Sequence, residues 1–390
     1  MDSGWNYGPF GDPRDEERLR DILTQCFTFP PSRWDTYVGQ VARENFRCLS
    51  RNGQVEAGLA LFFMGQWFGG RSVPMAGVAA VGVPPENRAR KVAFELLQRM
   101  LREVRERGYP LSALYASTQR LYRRLGYEQA GSRVLYALPA RSVPREKREI
   151  EATALDPSRH ELLHDLYRRG ASRNAGNLDR NEGIWKRVVL APADEMVFAY
   201  LLGSPPEGYI VYTQKRVELA YDLQVRDLVT LTPRAVRAAW AFLGDHGSMA
   251  NEIKWIGPAV DPFPALLPEQ HVKTTYASRW MIRVTDVAKA LEARGYEESL
   301  EEELHLEVTD DLLPENEGRW TLHVSDGRGK VERGGRGEMR LHARGLAPLY
   351  SGFLPPPALA TLGWIEAPAA ALGAARRIFA GPEPWMPDMF

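Results

Sequence analysis

The turn Glu86-Asn87-Arg88-Ala89-Arg90-Lys91 lies between a strand-like run, brought to a stop by Pro84-Pro85, and a helical pattern. Free backbone N–H groups and the positive end of the helix dipole gather at such a helix start, so an anion such as a pyrophosphate can be held there. Arg88 and Arg90 add side chains able to make charge-assisted contacts. A solvated basic helix start is the plainer reading, and local chemistry leaves both open. A second candidate is Tyr122, within LYASTQRLYRRLGYEQAG. A phenol is uncharged at neutral pH and can protonate a departing thiolate, although a tyrosine in a short helix is also an ordinary packing residue. The third candidate is the terminal stretch FAGPEPWMPDMF. Termini usually fray, but Pro382, Pro384 and Pro387 stiffen this one, and Trp385, Met386 and Phe390 supply apolar anchors. A terminal carboxylate drawn inward can serve as a general base once burial raises its pKa.

Other chemistries have less behind them. The seven histidines are dispersed; His160 and His164 share a helical face at i, i+4 without a catalytic or zinc-type constellation beside them. Cys26 and Cys48 fit neither a metal-ligand spacing nor a disulfide framework and read as reduced core residues. No Cys-His or Ser-His-Asp signature is present, and GGRGE at 334–338 has no helix after it, so it reads as a hairpin turn.

The elements that must position these groups follow from periodicity. A helix is expected over 13–27, then strands at 44–50 and 55–64 around the hairpin turn Arg51-Asn52-Gly53. A strand at 73–83 precedes the basic turn, and the next helix carries Val92, Leu96, Leu97, Met100, Leu101 and Val104 on one face, with Gly108 as its C-cap. LSALYA, the short helix TQRLYRRLG and a strand over 127–137 complete a mixed α/β region, which ends in the linker ALPARSVPREKREIE. The middle segment is again mixed, with helices at 158–170 and 233–246 and strands at 195–202, 208–213 and 223–231. From about 281 onward, a helix at DVAKALEARG, a strand meander and two closing helices read as an α+β layout with one apolar face.

A chain of 390 residues should divide into two or three domains. Its 44% hydrophobic and 26% charged residues are those of a folded globular protein. With 50 basic and 50 acidic residues there is no net field to gather nucleic acid or an anionic membrane. The polar, acidic N-terminus has no signal core and no run is long enough to span a bilayer, so the expected location is cytoplasmic.

VAAVGVPPENRARKVAFELL, followed by LYRRLGYEQAG, resembles the core of the GNAT acetyltransferases, whose acetyl-CoA motif is a strand, an Arg-x-x-Gly-x-Gly/Ala turn and a helix. With PMAGVAAV, KALEARGY, ELHLEV and FAGPEPWMPDMF added, the chain resembles from end to end the Eis (enhanced intracellular survival) family of N-acetyltransferases. That resemblance implies an α+β (mixed α/β) protein of three regions: an N-terminal GNAT domain over 1–150, a second GNAT-like domain without a working cofactor site over 151–285, and a sterol-carrier-protein-like domain over 286–390. It also implies acetyl-CoA as co-substrate, no metal, amine acceptors such as aminoglycosides or lysine, and hexamers built from trimers.

By the same resemblance, Val81, Gly82 and Val83 form the strand end that holds the acetyl carbonyl and pantetheine. Arg88, Ala89, Arg90, Lys91, Val92, Ala93 and Phe94 form the pyrophosphate turn, with Ser117 and Thr118 near the pantetheine arm. Tyr122 matches the general acid and the carboxylate of Phe390 the general base. Lys91 stands where the motif has glycine; with φ below zero its side chain can point outward, whereas a need for bare backbone would weaken cofactor binding. The acceptor cleft is expected to draw aromatic surface and negative charge from Trp34, Trp67, Phe68, Glu383, Trp385 and Asp388, a mixture suited to polyamines. Two rival roles are a non-catalytic acyl-CoA sensor or scaffold, favoured by Lys91, and a lipid or sterol carrier, favoured by the apolar strands of the last region.

Overall fold

The structure is a computed structural model and describes residues 4–88, 90–190 and 195–390. Ala89, expected in the pyrophosphate turn, lies outside the described residues.

Most of the expected elements form where periodicity puts them. Asn52 and Gly53 both have positive φ, as a two-residue hairpin turn needs, and join antiparallel strands Phe46–Arg51 and Gln54–Phe68. The helix Val92–Glu106 buries the six residues of its expected apolar face, and Gly108 beyond it adopts φ 81. The expected helix over 158–170 begins as a 3₁₀ turn, Pro157–Leu163, with non-helical backbone at Arg159, and becomes α-helical only from His164. Helices Trp34–Val41 and Glu182–Val189 form in addition to the expected elements.

The large sheet runs, edge to edge, through the strands beginning at Asn6, Phe46, Gln54, Arg71, Leu111, Lys273, Glu128, Ala250, Ala220, Gly208, Val197 and Ala152. Two strands are exchanged in this order. Lys273–Val284, late in the chain, pairs antiparallel with Leu111–Tyr115 of the first region. Glu128–Pro139, from the first region, pairs with Ala250–Gly257 of the second, and the two exchanged strands pair with each other. The first two regions are therefore one continuous sheet, and the segment 273–284 completes the first region's strand order although it lies far off in sequence.

A second, five-stranded sheet forms the last region. Leu304, Leu306, Val308, Leu322 and Val324 share one buried cluster with Leu346, Ala375 and Ile378 of its helices, and that cluster continues into the first region's core. A cavity at its edge has Glu307, Arg340, Arg344 and Glu366 in its lining together with Leu341 and Trp364. Fully buried Arg283 pairs with Asp310 at 2.5 Å, and Glu128 accepts from both Arg123 and Arg344, so paired charges fasten this region to the large sheet. Burial works upward on the Glu128 carboxyl, but the hydrogen bonds from Arg123 and Arg344 prevail and hold its pKa below the usual range. Among the described residues no helix is long and apolar enough to cross a membrane, and no group of three His, Cys, Asp or Glu residues is placed to hold a metal.

Candidate active site

The site begins where two parallel strands part. Arg71–Gly82 and Leu111–Tyr115 pair only from Met75 to Gly77 against Leu111 to Ala113. Beyond that point Leu114 and Tyr115 stay with the exchanged strand, while Val78, Ala79, Ala80 and Val81 line an open cleft of about 1150 Å³. Ala80 has φ 50 and sits at a register shift in the pairing of its strand with Gln54–Phe68. A left-handed, non-glycine residue at a bulge is backbone strain of the kind that re-aims strand groups toward a site.

Tyr122 reaches this cleft from the short helix Gln119–Arg123, its ring edge-on to Tyr127 at 5.9 Å. The residue is 6% exposed, and burial pushes its phenol pKa up to about 12. It therefore holds its proton at neutral pH and can surrender it to a strong base formed beside it.

Phe390 lines the same cleft at 9% exposure. Its ring packs 6.3 Å from Phe62 and 6.1 Å from Tyr115. Gly77 makes this possible: a Cβ there would fall 2.8 Å from the Phe390 ring and 2.7 Å from Met64 Cε. The tail before it is bonded along its length. Ser132 N donates to the Pro384 carbonyl, Met386 N to Ser132 O, Asn177 Nδ2 to the Trp385 carbonyl and Tyr115 Oη to the Asp388 carbonyl. A Cβ on Gly131 would come within 2.6 Å of Pro384 O, so glycine lets the tail lie flat on the exchanged strand. Asp388 is buried against Arg180, which also pairs with Asp227, and Tyr209 donates to Asp227 at 2.6 Å. Burial raises the Asp388 pKa, with Arg180 opposing.

The basic turn ends in a surprise. Lys91 is the N-cap of Val92–Glu106 with φ 63 and ψ 8, left-handed rather than below zero, and no side chain caps the helix. The lysine thus holds the conformation in which glycine is at ease, yet its side chain is exposed. The N–H groups of the first turn, at Val92, Ala93 and Phe94, are those left open at any uncapped helix start. Arg124 lies 5.1 Å over the Phe94 ring. Arg88 is exposed and folds back, its Nε donating to Val83 O, which also accepts from Cys26 Sγ. Gly82 packs under Ile22 and Leu23. Ser117 lines the cleft; Thr118 and Arg90 are exposed outside its lining.

The structure does not bring the expected acceptor residues to this cleft. Trp34 is buried, donating to Glu16 and packed on Phe46. The strand expected to stop at 64 runs on to Phe68, and its alternation sends Trp67 into the core around Tyr167 and Trp185 and Phe68 against Tyr350. Glu383 is exposed on the tail, Trp385 lines a different cavity, and the Asp388 carboxylate is occupied by Arg180. In their place the lining has Phe27, Phe29, Tyr37 and Tyr115, with Arg33, Arg133, Arg187, Arg226 and Arg279, and no aspartate or glutamate among its described residues. These arginines come from elements remote in sequence, and no local motif marked them.

Comparison with known proteins agrees with this fold. Acetyltransferase (GNAT) domain families match residues 12–130 and 176–284, and a sterol carrier protein domain family matches 287–387. The crystal structure of a GCN5-related N-acetyltransferase from Anabaena variabilis superposes with a TM-score of 0.96 at 40% identity, over 99% of this chain and all of that one. An uncharacterized N-acetyltransferase of Streptomyces avermitilis is 28% identical over 98% of this chain and 94% of its own length. The N-acetyltransferase Eis of Mycobacterium tuberculosis is 30% identical over 66% of this chain and 65% of its own. A tandem GNAT sheet with a cleft at parting strands makes this an acetyltransferase that works with an acyl-CoA. The chain belongs to the Eis family of GCN5-related N-acetyltransferases.

Proposed function

We propose that the enzyme moves an acetyl group from acetyl-CoA to a primary amine of a small acceptor, by direct transfer in a ternary complex. Acetyl-CoA lies in the gap between Arg71–Gly82 and Leu111–Tyr115, its pyrophosphate on the turn and helix start from Arg88 to Phe94. The amine attacks the thioester carbonyl, and the Phe390 carboxylate, directly or through a water, takes its proton. Backbone N–H groups at the bulged strand end stabilise the tetrahedral oxyanion, an interaction worth about 2.7–4 kcal/mol per donor in other enzymes. The C–S bond then breaks, and Tyr122 protonates the departing CoA sulfur. By family resemblance the chain assembles as a hexamer.

The observation that carries this reading is the meeting of Tyr122 and Phe390 in one cleft at the strand gap. Its test is removal of Phe390. Turnover, followed by thiol release, should fall by at least roughly 10²-fold, the usual size of a lost general base, while calorimetry finds acetyl-CoA affinity within about twofold. Undiminished turnover would exclude the terminal carboxylate.

A further inference from the structure

Apart from the Phe390 carboxylate, the charged groups that line the cleft are all arginines. Arg33, Arg133, Arg187, Arg226 and Arg279 line it, and among the described residues none pairs with a carboxylate. Arg133 donates to the Pro387 carbonyl, Arg187 to Gln40, and Arg226 to the carbonyls of Val188, Arg187 and Leu190. Arg279 lies 4.9 Å over the Phe353 ring. Three buried arginines elsewhere have carboxylate partners, while buried Arg294 donates only to the Gly295 and Tyr350 carbonyls. Buried Arg47 has Glu103, Arg180 has Asp227 and Asp388, and Arg283 has Asp310. A guanidinium taken out of water without a counter-charge is costly, and burial lowers the pKa of both Arg187 and Arg226. Glu195 and Asp227 act on Arg226, and Asp388 on Arg187, only through space, and Asp227 and Asp388 are themselves bonded to Arg180.

None of the five lies on the strands that border the gap or on the turn and helix assigned to the cofactor phosphates. They come from the 3₁₀ turn Pro31–Arg33, helix Glu182–Val189, strand Ala220–Thr230 and the two exchanged strands. Arg187 lies 6.0 Å from the Phe62 ring, on which the Phe390 ring also packs.

We infer that the acceptor is an amine that also carries an anionic group, a carboxylate or a phosphate, which these arginines hold while the amine faces the thioester. Guanidinium forks suit both anions, and the same field disfavours polycations. This inference rests on the proposed placement of acetyl-CoA and of the acceptor in the cleft.

The test uses the full chain, acetyl-CoA and four amines: O-phosphoethanolamine, β-alanine, ethanolamine and spermidine. One or both anionic amines should exceed ethanolamine in kcat/KM by about tenfold or more, the equivalent of one good ionic contact, with spermidine slowest; which of the two leads tells phosphate from carboxylate. Arg279→Glu, on the exposed rim, should raise KM for the preferred amine about tenfold with kcat within about twofold. Spermidine turned over as fast as the anionic amines, no preference over ethanolamine, or an unmoved KM in Arg279→Glu would each overturn the inference. Failure of acetyl-CoA to bind in calorimetry would instead overturn the cofactor placement beneath it.

Discussion

The large sheet contains two parallel strand pairs in matching places, one in each half. Arg71–Gly82 meets Leu111–Tyr115 and parts after Gly77; Ala220–Thr230 meets Ala250–Gly257 and parts after Gln224. Both gaps open onto cavities, about 1150 Å³ at the first and 320 Å³ at the second. The second is lined by Val225 to Thr230, Trp255, Phe263 and the tail residues Trp385 and Pro387. One C-terminal tail therefore crosses both, and Phe390 reaches only the first.

The two halves differ more in how each strand leads into its helix. In the first half, residues 83–91 intervene before the helix, which starts uncapped at Lys91. In the second, only Leu231 and Thr232 intervene, and Pro233 opens the helix without an N–H to offer. Thr232 caps Ala235, and its hydroxyl donates to Glu207 at 2.5 Å, with Arg234 on the same carboxylate. A carboxylate thus sits at the second helix start, the place that the proposed function gives to a phosphate in the first half. Two copies of one sheet geometry can differ in ligand chemistry because the helix start, rather than the strand gap, decides whether an anion has anywhere to sit.

The strongest challenge to this asymmetry is Tyr122→Phe. If only the first gap works, losing its phenol should lower kcat by roughly 10²-fold or more, with acetyl-CoA affinity within about twofold. A residual rate near half of the parent would mean that the second gap also turns over, and the distinction between the halves would collapse.

A smaller effect probes the second half directly. Glu207→Gln removes the resident charge but leaves Pro233 and the short connection, so calorimetric stoichiometry should stay at one acetyl-CoA per chain. A second binding event would show that the carboxylate alone had kept phosphate out. Thr232→Ala, which removes the cap, should cost about 1 kcal/mol in denaturant unfolding of the middle region.

How much of this was legible beforehand depended on range. Periodicity over 92–104 and the Asn52-Gly53 turn are local signals, and the structure has both. The strand Lys273–Val284 could be guessed as extended chain, but its partners Leu111–Tyr115 and Glu128–Pro139 are set by sheet packing across the molecule. Trp67 and Phe68 misled because aromatic character says nothing about which face of a lengthened strand a residue takes. The arginines of the cleft were invisible for the same reason: each is an unremarkable surface-type residue until the sheet closes around it.

Lys91 gives the finest measure of the comparison. The first half needs a left-handed residue at its helix start and fills the position with lysine, so the backbone bears a cost of roughly 1–2 kcal/mol that glycine would not. Glycine is also freer in the unfolded chain, which returns part of that gain. Lys91→Gly should therefore stabilise the protein by about 1 kcal/mol or less, seen as a small rise in Tm. If backbone approach governs phosphate binding, acetyl-CoA affinity should hold or improve by a few-fold in calorimetry. If it falls instead, and falls less at high salt where charge contacts are screened, the exposed ammonium of Lys91 is itself a phosphate ligand, and the first half owes its anion site to a side chain as well as to its uncapped backbone.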